Sequence, residues 1–196
     1  MKIRVPLPSC LTTGVNEAGC DEAGRGCLAG PVVAAAVILP DGFAHPDLID
    51  SKKLSEKRRE AMRQVILDNA LAYGIAMCSP AEIDSINILN ASIEAMHRAL
   101  DQLALRPGAI IVDGNRFKPY RDITCTTVVK GDAKYANIAA ASILAKTTRD
   151  HLMAELHAQF PVYDWATNKG YPTADHRAAI AAHGLTPHHR LTFRCL

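Results

Sequence analysis

DEAGRGCLAGPVVAAAVIL, residues 21–39, joins two adjacent carboxylates to a glycine-rich turn and then to a long apolar run. Gly24, Gly26 and Gly30 supply backbone suited to a loop, and VVAAAVIL has the length and composition of a buried strand. Residues 17–39 therefore predict two strands joined as a hairpin.

Strands and helices are interleaved along the rest of the chain. Strands are predicted at 72–78, 109–115 and 123–132, and helices after Ser55, after Ser79, over 137–159 and after Thr173. Pro161 ends the third of these helices, and a loop is predicted over 161–172. This order favours an α/β fold in which helices flank a mixed sheet, with a small helical C-terminal extension.

Length and composition exclude several classes of protein. The chain has 196 residues, 48% of them hydrophobic and 21% charged, with a formal net charge of +2. These values are ordinary for a soluble globular protein. The longest apolar stretch, residues 30–40, is too short to span a bilayer, and no secretory signal is recognisable, so we expect a cytoplasmic protein without membrane contact. Six cysteines without a C-x-x-C pair predict neither a zinc site nor a disulfide framework.

Four carboxylates stand at the predicted ends of three strands: Asp21 with Glu22, Asp113, and Asp132. If these strands are neighbours in one sheet, the four groups meet at one edge, where their repulsion favours a bound cation. Oxygen ligands favour Mg²⁺ or Mn²⁺ over zinc. Two such ions can clamp the attacking and leaving oxygens of a phosphodiester displacement. The alternative is that Asp113 and Asp132 are only turn residues, because Asp favours turns in its own right.

The loop after Glu22 is suited to a sugar and a phosphate. Gly24 and Gly26 leave the backbone open to a sugar hydroxyl, and Arg25 can neutralise phosphate charge. Further basic clusters are compatible with nucleic acid, although a charged run is most often a solvated helix face.

Ordered segments of the chain resemble ribonuclease HII, the type 2 ribonuclease H family. They are DEAGRGCLAGPVVAAAVIL, DSKKLSEKRR, EIDSINILNASIEAM, IIVDGN, VVKGDAKYANIAAASILAKTTRD and NKGYPTADH, which cover residues 17 to about 193 in the family's order. The resemblance implies a ribonuclease H-like catalytic domain over 1–160, with a helical extension over 161–196 packed on it. It also implies an endoribonuclease that cleaves the RNA strand of RNA–DNA hybrids and nicks DNA at embedded ribonucleotides, in ribonucleotide excision repair.

The same resemblance implies roles for individual residues. The carboxylates that would hold two Mg²⁺ or Mn²⁺ ions are Asp21, Glu22, Asp113 and Asp132. Gly24, Arg25 and Gly26 would sense the ribose 2′-OH, and Tyr171 would pack on the deoxyribose after the junction. The candidate phosphate contacts, with solvated surface lysines as the alternative, are Lys52, Lys53, Lys146 and Lys169. Hydrolysis with two ions leaves 3′-hydroxyl and 5′-phosphate ends.

One position departs from the family. Cys27 stands where many relatives carry proline, so we expect a less rigid loop.

Two alternatives remain open at this stage. The ribonuclease HIII type resembles this family with an added N-terminal substrate-binding extension, whereas only residues 1–16 precede the matched region. A non-catalytic nucleic-acid binding module of the same fold is the second alternative. The expected partners are RNA–DNA hybrids and DNA containing ribonucleotides. The C-terminal RLTFRCL shows no convincing sliding-clamp peptide, so no protein partner is predicted, and a monomer is expected.

Overall fold

A computed structural model describes residues 6–48 and 51–195. Its centre is a five-stranded mixed sheet in the order β3-β2-β1-β4-β5. The strands are β1 (Ala18–Ala23), β2 (Val32–Ile38), β3 (Ala72–Cys78), β4 (Ala109–Asp113) and β5 (Thr124–Val128). β1, β2 and β3 pair antiparallel, whereas β1, β4 and β5 pair parallel. The predicted hairpin and mixed sheet are confirmed, and β1, β4 and β5, whose ends the prediction assigned to the carboxylates, are neighbours.

Six α-helices cover the sheet and extend beyond it in the described part of the chain. They are α1 (Glu56–Asn69), α2 (Pro80–Ile86), α3 (Ile88–Asp101), α4 (Ala136–Gln159), α5 (Trp165–Asn168) and α6 (Ala174–His183). The predicted N-caps are confirmed, because Ser55, Ser79 and Thr173 each accept a bond from a backbone N–H of the first turn. Within the described residues, none of these helices is both long and apolar enough to cross a membrane.

The sheet is buried on both faces. The side chains of β2 alternate between two clusters: Val32, Ala34, Ala36 and Ile38 face α3, whereas Ala35 and Val37 face α1 and α4. Small residues on β2 let the helices approach closely, and burial of this apolar area is the main source of stability. The continuous apolar run is thus explained by two covered faces.

Helix α4 lies almost against the backbone of β1. A methyl group placed on Gly19 would collide with the backbone of Asn137 and Ile138. The Asn137 side chain donates to the carbonyl of Glu17 at 2.7 Å and accepts from the amide of Leu39 at 2.9 Å. The buried helix is therefore anchored to the start of β1 and the end of β2.

Two predicted segments differ from the structure. β5 ends at Val128, and Asp132 lies beyond it in a 3₁₀-helix, Gly131–Ala133, which is entered through left-handed backbone at Lys130 (φ 56°). Asp132 is therefore not at a strand end. The predicted loop over 161–172 contains a 3₁₀-helix, Pro161–Tyr163, and α5. Left-handed Asp164 and Lys169 flank α5, and non-glycine residues in that conformation are not foreseeable from sequence.

The C-terminal segment packs on the rest of the chain through a third apolar cluster. Trp165 is fully buried and stacks on Tyr163, with ring centroids 5.1 Å apart. The same cluster includes Leu28, Ala29 and Met153 from the preceding part of the chain. The division at residues 160 and 161 stays a prediction.

Candidate active site

Parallel pairing of β1 and β4 brings the predicted carboxylates together. Cys20 pairs with Val112, so Asp21 and Asp113 follow side by side at the carboxyl ends of the two strands. This edge of a parallel pair is where α/β sheets usually place ligand sites. A cavity of about 240 Å³ opens there. The side chains and backbone that line it belong to Asp21, Glu22, Ala23, Gly24, Arg25, Gly26, Ser51, Asp113, Ser142, Lys146 and Tyr171.

Asp21 is the most deeply placed carboxylate of the cavity. It is 6% exposed, and its Oδ1 accepts a bond from the Glu22 amide at 2.7 Å. Ser142 of α4 lines the same cavity. Burial raises the pKa of Asp21 well above its ordinary value, and the negative charges of Glu22 and Asp113 raise it further. A cation at this point would relieve both effects.

Asp113 and Asp132 are connected through the backbone. Asp113 Oδ1 accepts a bond from the Gly131 amide at 2.7 Å, which fixes the 3₁₀-helix next to the end of β4. Asp132 is buried in that helix and is not one of the cavity-lining residues. The structure therefore gathers Asp21, Glu22 and Asp113 at one cavity and places Asp132 in the segment bonded to Asp113.

The donor chemistry fits a hard divalent cation. Within residues 6–48 and 51–195, no three Asp, Glu, His or Cys side chains already surround one ion-sized point. Mg²⁺ typically takes one or two carboxylates and completes its shell with water and substrate phosphates. A cavity open to solvent, with carboxylates on neighbouring strands, matches that mode of binding rather than a closed cage.

The glycine loop and Tyr171 form the opposite wall of the cavity. Gly24 has φ +94°, a conformation that favours glycine. Arg25 is half exposed, and its Nη1 lies 3.1 Å from Glu22 Oε1. Tyr171 is 42% exposed, and burial, together with the nearby Cys27, raises the pKa of its hydroxyl. Tyr171 is thus partly buried beside the loop and partly exposed at the cavity.

The four predicted phosphate-binding lysines occupy different environments. Lys146 lines the cavity, and its Nζ lies 2.6 Å from Oδ1 of the buried Asp150. Lys53 is exposed, in a 3₁₀-helix, Ser51–Lys53. Lys169 is half-buried and is not a cavity-lining residue. The side chain of Lys52 lies outside the described part of the structure.

Several residues around the site were not predicted from the sequence. Ser51 and Ser142 line the cavity and lie 3.0 Å apart through their hydroxyl oxygens. Arg149 and Arg190 are buried behind the loop. Nothing in the sequence distinguishes these arginines from exposed ones, since arginine is rarely fully buried. The serines stand within segments noted above, but their approach depends on the packing of α4.

A second, smaller cavity of about 180 Å³ lies on the other side of the carboxylates. It shares Glu22, Arg25 and Asp113 with the first. Its apolar wall comes from α3, whereas Asn115 and Arg116 provide polar groups. Glu22 and Asp113 therefore line both cavities, an arrangement that suits an extended substrate.

Comparison with known proteins decides the family. The family profile described as Ribonuclease HII matches residues 18–195. The chain belongs to the ribonuclease HII family. Ribonuclease HII of Bacteroides fragilis is 65% identical over 186 residues, covering 95% of this chain and 92% of that protein. The predicted activity is thereby confirmed: this family member is a ribonuclease H hydrolase that cleaves RNA in RNA–DNA hybrids.

Solved structures of similar proteins share the fold. The ribonuclease HII of the PCNA:RNase HII complex from Archaeoglobus fulgidus is 28% identical, with a TM-score of 0.73, and the alignment covers 92% of this chain and 96% of that one. Bst-RNase HIII in complex with Mn²⁺ is 18% identical, with a TM-score of 0.70, and the alignment covers 92% of this chain and 68% of that one. The second likeness shows the fold alone. The family profile and the B. fragilis relative support the HII type over the predicted alternative, HIII.

Proposed function

We propose that this family member hydrolyses a phosphodiester bond at a ribonucleotide with two divalent cations, leaving 3′-hydroxyl and 5′-phosphate ends, and that it nicks DNA at single embedded ribonucleotides. The supporting observation is that buried Asp21 stands beside Glu22 and Asp113 in one open cavity. Mutual repulsion in a desolvated site needs a compensating cation.

The metal ligands in this proposal are Asp21, Glu22, Asp113 and Asp132. Two Mg²⁺ or Mn²⁺ ions bound there would supply an activated water and stabilise the departing ribose 3′ oxygen. The chain's own contribution is to hold Asp21 through the Glu22 amide and Asp113 through the Gly131 amide, so that both carboxylates stay oriented. The Mn²⁺ in Bst-RNase HIII is consistent with this choice of ion.

The substrate side of the proposal uses the opposite wall. Gly24, Arg25 and Gly26 contact the ribose 2′-OH, which is the local feature that distinguishes RNA from DNA. The exposed Tyr171 ring packs on the following deoxyribose. Lys146 contacts a phosphate from the cavity wall, and Lys52, Lys53 and Lys169 provide contacts along the backbone.

A cleavage assay tests the proposal. The substrate is a DNA duplex with one ribonucleotide, titrated with Mg²⁺ or Mn²⁺. Several kcal/mol of transition-state stabilisation by the metal ions correspond to roughly a thousandfold in rate. Asp21→Asn and Asp113→Asn are therefore expected to lower kcat by about that factor. Asp122→Asn is the matched control, because Asp122 is an exposed carboxylate paired with Arg106.

Two results of this assay would contradict the proposal. Normal turnover by Asp21→Asn would show that cleavage does not require this carboxylate. Tight binding of the duplex without cleavage in either metal would favour the non-catalytic binding module.

Wider biological assignments follow from the same proposal. A nick at an embedded ribonucleotide begins its removal from DNA, which places the reaction in ribonucleotide excision repair. The cytoplasmic location and the monomeric state stay predictions. The absence of a protein partner also stays a prediction. The A. fulgidus relative, which was solved in complex with PCNA, argues against it.

A further inference from the structure

Arg190 is a fully buried arginine that binds the loop from behind. Its guanidinium donates to the carbonyl of Gly24 at 2.7 Å and to that of Arg25 at 2.9 Å. Two further bonds, at 2.9 and 3.1 Å, go to the carbonyl of Gly30. The Phe193 ring covers the guanidinium at 5.1 Å. All four bonds thus end on the main chain of one loop.

This burial is costly, which indicates a specific role. Desolvation lowers the pKa of Arg190 to about 10. Arginine usually keeps its charged group in water. A planar fork of five donors can hold several carbonyls in fixed geometry, which lysine cannot.

The direction of these carbonyls fixes the direction of the loop amides. In a trans peptide the N–H points opposite to the C=O of the same unit, and the described chain contains no cis peptide. With the Gly24 and Arg25 carbonyls turned to Arg190, the amides of Arg25 and Gly26 point away from Arg190. Gly24, Arg25 and Gly26 also line the cavity that holds the carboxylates.

A second buried arginine joins this loop to the Tyr171 segment. Arg149 donates to the carbonyl of Ala29 at 2.9 Å and to that of Lys169 at 2.8 Å. The Leu28 amide also donates to the Gly170 carbonyl at 2.8 Å. The loop and the residues before Tyr171 are therefore held as one unit.

We propose that Arg190 is a positioning residue for ribose recognition: it fixes the Gly24 and Arg25 carbonyls so that the Arg25 and Gly26 amides are presented to the 2′-OH. This inference rests on the proposed function, because the contact between loop and ribose is itself proposed.

The test compares substrates that differ only in the 2′ substituent of one sugar. Duplexes carry either 2′-OH or 2′-fluoro at the single ribonucleotide, and kcat/KM is measured for both with the wild type, Arg190→Lys and Arg190→Gln. We expect the ratio of 2′-OH to 2′-fluoro cleavage to fall at least tenfold in both variants through kcat. The Kd for the duplex, measured in EDTA, should stay within about twofold, because phosphate contacts dominate binding.

Arg177→Lys is the matched control. Arg177 also lies in the C-terminal segment and donates to main-chain carbonyls, those of Arg194 and Cys195, but it does not contact the loop. Its substrate ratio should equal that of the wild type.

Two outcomes overturn the inference: folded Arg190 variants that keep the wild-type ratio, and equal loss of cleavage on both substrates, which would mean a merely structural role. Should the variants fail to fold, ¹⁵N NMR of the wild type in EDTA decides instead. The Arg25 and Gly26 amides must shift more with the ribonucleotide duplex than with all-DNA duplex, and equal shifts overturn the inference. A wild type without any metal-dependent cleavage would instead contradict the proposed function.

Discussion

Asp21 combines burial, two carboxylate neighbours and a predicted metal-binding role. Its Oδ1 bond to the Glu22 amide needs only an oxygen acceptor, which asparagine also provides. The negative charge is therefore unfavourable to the folded, metal-free protein, and the proposed mechanism assigns it to metal binding. Such sites commonly exchange stability for activity.

We predict that Asp21→Asn stabilises the metal-free protein while abolishing cleavage. A gain of about 1 kcal/mol in the free energy of unfolding corresponds to a rise in Tm of roughly 2–4 °C for a chain of this length. Thermal unfolding in EDTA measures the gain. Added Mn²⁺ should then raise the Tm of the wild type and not that of the variant. A lower Tm of Asp21→Asn in EDTA would show that the charge is compensated within the protein.

Cys27 shows how a departure from the family can be accommodated. The loop was expected to be less rigid without proline, yet Cys27 is fully buried, and its thiol lies near the Tyr171 side chain. Burial raises the pKa of the Cys27 thiol, which keeps it protonated. Rigidity that proline would provide through φ is available here from side-chain contacts, including those of Arg149 and Arg190.

At the scale of elements, the contact between β1 and α4 fixes the position of the acidic pair. Gly19 lies against the backbone at the start of α4, whereas a methyl group on Gly26 would meet open space. The two glycines therefore serve different purposes, one in packing and one at the mouth of the cavity.

We predict that alanine at Gly19 mainly lowers stability, whereas alanine at Gly26 mainly lowers activity. Gly19→Ala should lower the free energy of unfolding by roughly 2–3 kcal/mol, because neither backbone can move aside easily. Gly26→Ala should change it by less than about 0.5 kcal/mol and yet reduce cleavage, because its methyl group stands where the sugar must approach. Urea unfolding and the cleavage assay separate the two effects. Equal stabilities would contradict the close packing of α4.

Regular elements were predictable from the sequence, and their junctions were not. Apolar runs and caps located every strand and the longer helices, and the carboxylates in the last residues of β1 and β4 indicated the site because parallel strands end at one edge. Asp132 was misplaced because its 3₁₀-helix depends on the left-handed Lys130 and the bond from Gly131 to Asp113. α5 was missed because four residues carry too little periodicity. The role of Arg190 depends on contacts 160 or more residues apart in sequence.

Over the whole molecule, a buried histidine pair joins the parts of the C-terminal segment. The Trp165 indole N–H donates to Nε2 of His176 at 3.0 Å, so that nitrogen carries no proton and Nδ1–H of His176 donates to the Tyr171 carbonyl. His189 Nδ1 accepts from the Thr186 amide, and its Nε2 lies 3.3 Å from Nε2 of His176. The network requires both imidazoles to be neutral.

We predict that acid loosens this segment first. Burial, together with the neighbouring His176, lowers the pKa of His189 to about 4, compared with 6.5 for the unfolded chain. As the pH falls from 6.5 towards 4, the unfolded state binds a proton that the folded state excludes, so stability falls by up to about 1.4 kcal/mol per pH unit. Fluorescence of Trp165, the single tryptophan, should report the change.

The matched variants for this prediction are His189→Gln and His151→Gln. Removing His189 should flatten the dependence of stability on pH between 6.5 and 4. His151 is an exposed histidine paired with Glu60, so its removal should leave that dependence nearly as in the wild type. Equal slopes for the wild type and His189→Gln would contradict the role of the pair.

The bond between Arg190 and Arg25 also sets an order of events during synthesis. These residues are 165 positions apart, which at 5–20 residues per second means that roughly 10–30 s separate their translation. Until Arg190 leaves the ribosome, the nascent chain contains its acidic residues but lacks the guanidinium that binds the loop carbonyls. If the loop reads the ribose as proposed, discrimination between RNA and DNA can begin only after Arg190 has been translated.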